Sequence, residues 1–434
     1  MKQSDVMLAC IADYGGRVRG KGYPVAEKEK YVRRGVGLAP TNLMITSFGA
    51  IVNSPWGPRG DLLMMPDPAT EVVVDHGDAW PAERFVLCDL TTLDGAPWAC
   101  CPRSWLKAGL ARLEGEYGLR LYSAFEHEFH YTGVSESGGN AYALDSFRQQ
   151  GDFLSRLVGA LDEAGIEPEM VMPEYGAGQF EVTNSPAIGV ASADRAVQLR
   201  EVTRSVARAK GEKACFSPVM GAGLVGNGVH VHFSLQDRDG TPMSYDATGA
   251  HEMSAPMSAF VAGILAHMSE FLPLTASSAI SYERLQPNRW SAAYNNLSVQ
   301  DREAGLRICP LAEGASKAGF NVEYRASDAS ANPYLLLGAL VWAGLEGLAK
   351  DLPAPQPTDG DPSAVPQAEA EKRGLKRLPM SLSEALDLME ASPVVREWMG
   401  DEFLGAYVMN KRSELSLLDG LDLDEQVAKY VDCF

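Results

Sequence analysis

The chain has 434 residues, 46% of them hydrophobic, enough to bury a large core without disulfide or metal staples and to form two or three domains. Its 57 acidic against 38 basic residues leave a net charge of −19, which argues against nucleic-acid or anionic-membrane partners, since both demand clustered positive charge. An anionic substrate therefore needs its own local nest of arginines. The seven cysteines are odd in number, show no C-x-x-C spacing and include the adjacent Cys100 and Cys101, so the reduced thiols of a cytoplasmic protein are expected rather than a disulfide frame.

In chain order, the apolar run Val6–Ala12 predicts a first strand rather than a signal peptide, and strand-like runs follow at 43–52, 62–65, 71–75 and 85–89. Gly- and Pro-rich turns such as 13–16 and 54–60 separate them, so residues 1–101 read as a small β-rich domain. After Pro102 the spacing changes. Trp105, Leu106, Leu110, Leu113 and Tyr117 recur at helical intervals and open a second domain, residues 102–434.

The stretch 121–131, L-Y-S-A-F-E-H-E-F-H-Y, reads as a strand with Glu126, Glu128 and His130 on one face and Phe125, His127, Phe129 and Tyr131 on the other. Two carboxylates two residues apart repel unless the face is solvated or a cation lies between them. Taken alone, a half-buried strand showing charge to water is the commoner case. Helices are predicted at 153–164 and 191–212; between them E-Y-G-A-G-Q-F-E, residues 174–181, feeds a strand over 179–183. Residues 221–226 match G-x-G-x-x-G, but the strand-like run 229–235 follows where a dinucleotide site needs a helix N-terminus, so this is a loop.

Alternation along 229–235 puts His230, His232 and Ser234 on one face, and along 321–325 it does the same for Asn321, Glu323 and Arg325. Singly, each has an ordinary explanation as a satisfied histidine or a surface ion pair. Jointly they set carboxylate and imidazole faces on several strands. The apolar run 333–348 predicts a helix buried on all sides rather than a membrane span. The Pro-rich stretch 351–373 predicts a surface excursion, and helices at 383–391 and 414–430, the latter broken at Gly420, close the chain.

With these segments together, the chain resembles the glutamine synthetase family over nearly its whole length. E-H-E at 126–128 is similar to the family's E-x-E strand, and E-x6-E at 174–181, with its internal G-Q, to the second metal segment. G-N-G-V-H-V-H at 226–232 is similar to the Gly-rich metal-histidine strand, and N-V-E-Y-R-A-S-D-A-S-A-N-P-Y-L at 321–335 to the most recognisable block. The resemblance implies an α+β fold, with an N-terminal β-grasp domain and a larger α/β catalytic domain whose antiparallel sheet forms a funnel. It also implies a ring-forming homo-oligomer, a decamer or dodecamer.

The same resemblance implies two cation sites, Glu128, Glu174 and Glu181 holding one and Glu126, His230 and Glu323 the other. Five carboxylates and one imidazole are mostly hard ligands, suited to Mg²⁺ or Mn²⁺, two or three per site, with ATP as co-substrate. His232, Ser234 and Arg307 are implied on the nucleotide side. Arg284 is implied to take the α-carboxylate of L-glutamate beside Gly226 and Asn227, and Arg302, Arg325 and Glu323 to act at the transferred phosphate. Guanidinium groups suit these tasks, being permanently charged and bidentate toward carboxylate and phosphate. His127 and His130 have no role in the pattern and are read as structural.

Three departures bear on function. Where the family places a glutamate that binds and deprotonates ammonium, counted from Arg284 through Pro287, this chain has Trp290. The aspartate that the N-terminal domain offers to a neighbouring subunit has no counterpart in 46–50, where Phe48 stands. Val225 and Asn321 occupy positions expected to hold an asparagine contacting glutamate and a nucleotide-side arginine. Loss of both acidic ammonium contacts predicts activation of glutamate as γ-glutamyl phosphate followed by transfer to an organic primary amine, apolar or aromatic, received by Trp290 with Tyr294 or Phe48. The alternatives are an ammonia-dependent glutamine synthetase and a non-catalytic sensor or scaffold.

Overall fold

The computed structural model describes residues 5–77, 80–134, 141–314, 317–358 and 360–434. Strands β1 (Val6–Ala12), β2 (Val18–Pro24), β3 (Val36–Leu38), β4 (Leu62–Pro66), β5 (Val72–Val74) and β6 (Glu83–Thr91) build the N-terminal sheet. Its order is β2-β1-β6-β4-β3, with β5 paired to β6. β1 and β6 are parallel and the remaining pairs antiparallel, and helix Lys28–Arg34 lies between β2 and β3, giving the β-grasp arrangement. The strand expected at 43–52 is absent. Pro40–Met44 is a short 3-10 turn, and a further turn closes with Thr46 N–H donating to Ala50 O at 2.9 Å. Edge strand β2 escaped the periodicity because Gly20 and Gly22 interrupt it; a Cβ at Gly20 would lie 2.1 Å from Ala9 O, so the close hairpin requires glycine.

The second sheet comprises β7 (Leu119–Tyr131), β8 (Pro168–Pro173), β9 (Gln179–Asn184), β10 (Ala187–Ile188), β11 (Ala214–Cys215), β12 (Val229–Asp237), β13 (Leu297–Val299), β14 (Leu306–Ile308) and β15 (Val322–Tyr324). They run in the order β13-β14-β15-β12-β7-β9-β8, with β10 and β11 also paired to β7. The sheet is antiparallel, as expected, apart from the β13–β14 pair, which is parallel. β7 is central because its apolar face packs under helices Gly151–Glu163 and Val190–Ala209. Phe125, Phe129 and Tyr131 are at most 2% exposed, and Tyr131 stacks on Phe153 with ring centroids 3.7 Å apart.

Helix Pro333–Ala349 is buried almost all round, capped by the Asn332 side chain, which also donates to Ala12 O and Asp13 O and so ties the helix start to β1. It packs on helix Ala255–Phe271 so closely that a Cβ on Gly263 would lie 2.1 Å from Ala343 O. Ala255–Leu274 is long and apolar enough by length and composition to cross a membrane, and 67% of it is buried inside the protein. The break expected at Gly420 separates helices Asp401–Ser416 and Leu423–Val431, the first of which begins well before the expected 414. Arg103, 2% exposed on helix Pro102–Tyr117, ties the N-terminal sheet to the catalytic helices, pairing with Asp67 and Asp89 at that sheet and with Asp194 on helix Val190–Ala209 at 2.7–2.9 Å. All seven cysteines are unpaired.

Candidate active site

Strand register assembles the polar face. Across β7 and β12, His230 sits opposite Glu126; across β7 and β9, Glu128 faces Glu181; across β12 and β15, His232 faces Glu323. Because side chains alternate, the same pairing turns Val231, Phe233 and Phe129 into the core. Ligand atoms of Glu126, His230 and Glu323 lie within 4.8 Å of one another, so the second expected cation set is brought together. Glu128 and Glu181 converge in the same way with His230. Glu174, the third ligand expected with them, stands outside that cluster and accepts a hydrogen bond from the Tyr142 hydroxyl at 2.6 Å.

Charges in this cluster are unbalanced until a cation enters. Burial and the neighbouring carboxylates of Glu126, Glu128, Glu174 and Glu323 push Glu181 up to about 9, and burial lifts Glu128 to about 7. Glu126 and Glu323 go the other way. Burial alone would raise Glu126, but His230 and His232 hold its carboxyl well below the usual range. For Glu323, Arg325, His230 and His232 overcome burial and bring it to about 2. His230 is lowered to about 4 by burial and Arg325, leaving the neutral imidazole a metal requires. Clustered, mutually repelling oxygen donors with one imidazole fit a hard divalent cation.

Four arginines surround this cluster. Arg325 bridges the Glu323 carboxylate, Arg302 O at 2.7 Å and Trp290 O at 3.3 Å. Arg307 donates to Glu323 Oε2 at 2.8 Å. Arg284 is 6% exposed and braced by Ser291 Oγ and Ser327 O. Its Nε is buried without a partner among the described residues. Arg302 is exposed on the cavity wall.

A cavity of about 730 Å³ opens onto this face, lined by Glu126, Glu128, Glu174, Glu181, His230, Gly226, Arg284, Arg302, Arg325 and Trp290, among others. Gly226 is required here, since a Cβ would meet Arg284 Cγ at 2.5 Å. Several expectations need correction. Asn227 is fully buried, accepting from Gln179 Nε2 and donating to Ser217 O, so its side chain does not line the cavity. Tyr294 lies under the Arg377 guanidinium and does not line the cavity. Phe48, expected against a neighbouring subunit's site, packs on Tyr430 within this chain. His232, Ser234 and Arg307, expected on the nucleotide side, lie on β12 and β14 next to this cavity's lining, with His232 Nδ1 2.8 Å from Asn321 Oδ1.

The flap carrying Trp290 is pinned by Glu303, whose carboxylate accepts from Asn288 N and Trp290 N, and by Arg289 donating to Gly223 O. Trp290 is 62% exposed at the cavity mouth, with φ of +53°, a conformation a bulky residue adopts only when held. Sequence reasoning missed its companions. Tyr175 lies 6.0 Å from Trp290 and Tyr142 5.8 Å from Tyr175, centroid to centroid, and Met170, Leu224 and Val225 complete an exposed apolar collar. The signal available was five large apolar residues in segments otherwise reading as loops or strand edges.

The family profile for the glutamine synthetase catalytic domain matches residues 99–421, and that for the glutamine synthetase N-terminal domain matches residues 2–98. The chain is 34% identical over 440 residues to the gamma-glutamylpolyamine synthetase GlnA3 of Streptomyces coelicolor, covering 98% of this chain and 92% of that protein. It is 28% identical to the glutamine synthetase of Methanococcus maripaludis, covering 93% and 91%. A crystal structure described as a novel glutamine synthase homolog superposes with a TM-score of 0.92 at 39% identity, over 100% of this chain and 99% of that one. The structure of a GmaS/ADP complex shares the fold, with a TM-score of 0.82 at 24% identity over 99% and 97%. With both domains matched and the carboxylate and arginine sets gathered on one face, the chain belongs to the glutamine synthetase family and is an ATP-dependent glutamate–amine ligase.

Proposed function

We propose that this ligase joins the γ-carboxylate of L-glutamate to an organic primary amine with an apolar or aromatic body, giving a γ-glutamyl amide. The observation that carries the choice of acceptor is Trp290 at the cavity mouth, 62% exposed and flanked by Tyr175 and the Met170–Leu224–Val225 wall. A carboxylate that would attract ammonium is replaced there by an apolar plate.

In the proposed mechanism Arg284 receives the α-carboxylate and presents the γ-carboxylate to the terminal phosphate of ATP. Arg302 and Arg325 neutralise the charge spreading over the transferred phosphoryl group, since positioning and electrostatics supply nearly all the catalysis in such transfers. His232, Ser234 and Arg307 face the nucleotide. Glu128, Glu174 and Glu181, and Glu126, His230 and Glu323, would hold two divalent cations, Mg²⁺ or Mn²⁺, whose positive charge would offset that of the phosphates. The amine nitrogen, neutral at the moment of attack, then bonds to the acyl carbon, phosphate leaves with its bonding pair, and the amine proton passes to solvent. Weakly basic amines arrive already neutral and need no carboxylate base. Assembly as a ring-forming homo-oligomer belongs to the same proposal.

A polyamine acceptor is the second reading, favoured by the Streptomyces coelicolor relative's name and by Glu174 and Glu283 on the cavity wall. The test is phosphate release with ATP, Mg²⁺ and L-glutamate across alkylamines, arylamines, polyamines and ammonium, with the amide identified by mass. Fastest turnover with an apolar amine supports the proposal, fastest turnover with a polyamine moves the assignment to the second reading, and fastest turnover with ammonium removes both.

A further inference from the structure

His232 shows two different faces. Its Nε2 lies 3.2 Å from Glu126 Oε1 and 3.8 Å from Glu323 Oε1, while its Nδ1 lies 3.7 Å from Cys309 Sγ and 2.8 Å from Asn321 Oδ1. Cys309 directly follows β14, and Glu323 sits on the adjoining β15. Ligand atoms of His232, Cys309 and Glu323 all lie within 4.8 Å of one another. Cys309 is one of only two cysteines that are not buried, and no step of the ligase reaction uses it.

We propose that His232, Cys309 and Glu323 form a further cation site, on the nucleotide side of the sheet, that takes a borderline-soft ion such as Zn²⁺ and blocks the ligase when filled. Geometry and chemistry both support it. For tetrahedral zinc, bond lengths of about 2.3 Å to sulfur and about 2.05 Å to nitrogen put the two ligand atoms about 3.6 Å apart, against the 3.7 Å observed between Sγ and Nδ1. A thiolate selects Zn²⁺ over Mg²⁺, whose preference is for oxygen. With the ion on Nδ1, the Nε2–H faces the Glu126 carboxylate, the partner that ligating histidines characteristically have on their other nitrogen.

Blocking follows from shared residues. Glu323 also belongs to the Glu126–His230 cluster, and Arg307 Nη1 contacts both Glu323 Oε2 at 2.8 Å and Cys309 Sγ at 3.8 Å. An ion between these atoms displaces the Arg307 guanidinium and draws Glu323 from the other cation set, with the thiol proton released to water. Nothing in this depends on which amine is the acceptor.

Co²⁺, a tetrahedral stand-in for Zn²⁺ with visible spectra, is the probe. Titrated into the full-length protein it should produce a sulfur-to-cobalt charge-transfer band in the near ultraviolet, abolished by added Zn²⁺ and missing in Cys309→Ser, and retained in Cys433→Ser. Phosphate release should be inhibited by Zn²⁺ in excess Mg²⁺, with Cys309→Ser raising the half-inhibiting concentration at least tenfold while its uninhibited rate stays within about twofold. No band in the unmodified protein, a band that survives in Cys309→Ser, or unchanged Zn²⁺ sensitivity in that variant would each overturn the assignment. Cys309→Ala, equally small and uncharged, repeats the comparison if the serine variant folds poorly.

Discussion

Replacing Trp290 by glutamate tests the acceptor assignment. A tryptophan side chain presents about 250 Å² at most, so the 62% left exposed at the cavity mouth is roughly 150 Å². An acceptor covering about half of that gains about 2 kcal/mol at roughly 25 cal/mol per Å², or about 30-fold in kcat/KM. Trp290→Glu should therefore lower kcat/KM for the best apolar amine about 30-fold and raise it for ammonium, because the new carboxylate offers a cation contact. The φ of +53° at this position is as strained for glutamate as for tryptophan, so flap conformation is not the variable. Trp290→Phe should keep most of the apolar preference. The assay is steady-state phosphate release with amine and ammonium varied separately at saturating ATP and glutamate, with thermal melting to confirm folding. If the ratio of the two kcat/KM values is unchanged in Trp290→Glu, the side chain only packs the flap and the acceptor argument fails.

Arg284→Gln removes the buried guanidinium whose Nε has no partner among the described residues; charged hydrogen bonds of about 1.5–3 kcal/mol predict a 10- to 100-fold rise in the KM for glutamate, with the KM for ATP little changed, and the opposite pattern would reassign the residue. In the cation-free protein at neutral pH Glu181, raised to about 9, holds its proton and Glu128, raised to about 7, is about half protonated, and these protons must leave for Mg²⁺ to bind. Affinity for Mg²⁺ should accordingly climb from about pH 6 to about pH 9, and calorimetric heats at pH 7 should differ between buffers of different ionisation enthalpy; equal heats would contradict this charge balance. Arg103→Met strands Asp194, which is 7% exposed, and should cost about 3–5 kcal/mol of unfolding free energy, measured by denaturant titration, whereas a loss under about 1 kcal/mol would mean that the ion network is not what ties the N-terminal sheet to the catalytic helices.

The carboxylate face was legible because it rests on strict period-2 alternation. In β7 each predicted inward residue, from Phe125 to Tyr131, is buried, and the long helices at 102–117 and 333–349 announced themselves by proline starts and dense apolar spacing. What failed had no such period. Asn227 sits in the same G-N-G run as Gly226, and only the structure reveals that Gln179 reaches across to claim its side chain. Tyr142 and Tyr175 come from separate segments, and only tertiary structure brings Tyr142 to Tyr175 and Tyr175 to Trp290. The 43–52 run is apolar enough for a strand, yet Phe48 is drawn to Tyr430 near the far end of the chain, a tertiary contact that local propensity does not encode.

The pairing of β7 with β9 and β12 has a consequence for how such a protein can change. Insert or delete a single residue within β7 and every downstream side chain swaps sides, sending Glu126 and Glu128 into the oily interior and Phe125 and Phe129 into the cavity. Heritable variation in the cation cluster is thus confined to substitution. The loop at 221–225 and the flap at 286–291 belong to no paired strand, so they can lengthen, shorten or be exchanged without disturbing the pleat. Novelty in the acceptor can accumulate there, one loop at a time, around an activation apparatus that the sheet does not allow to drift.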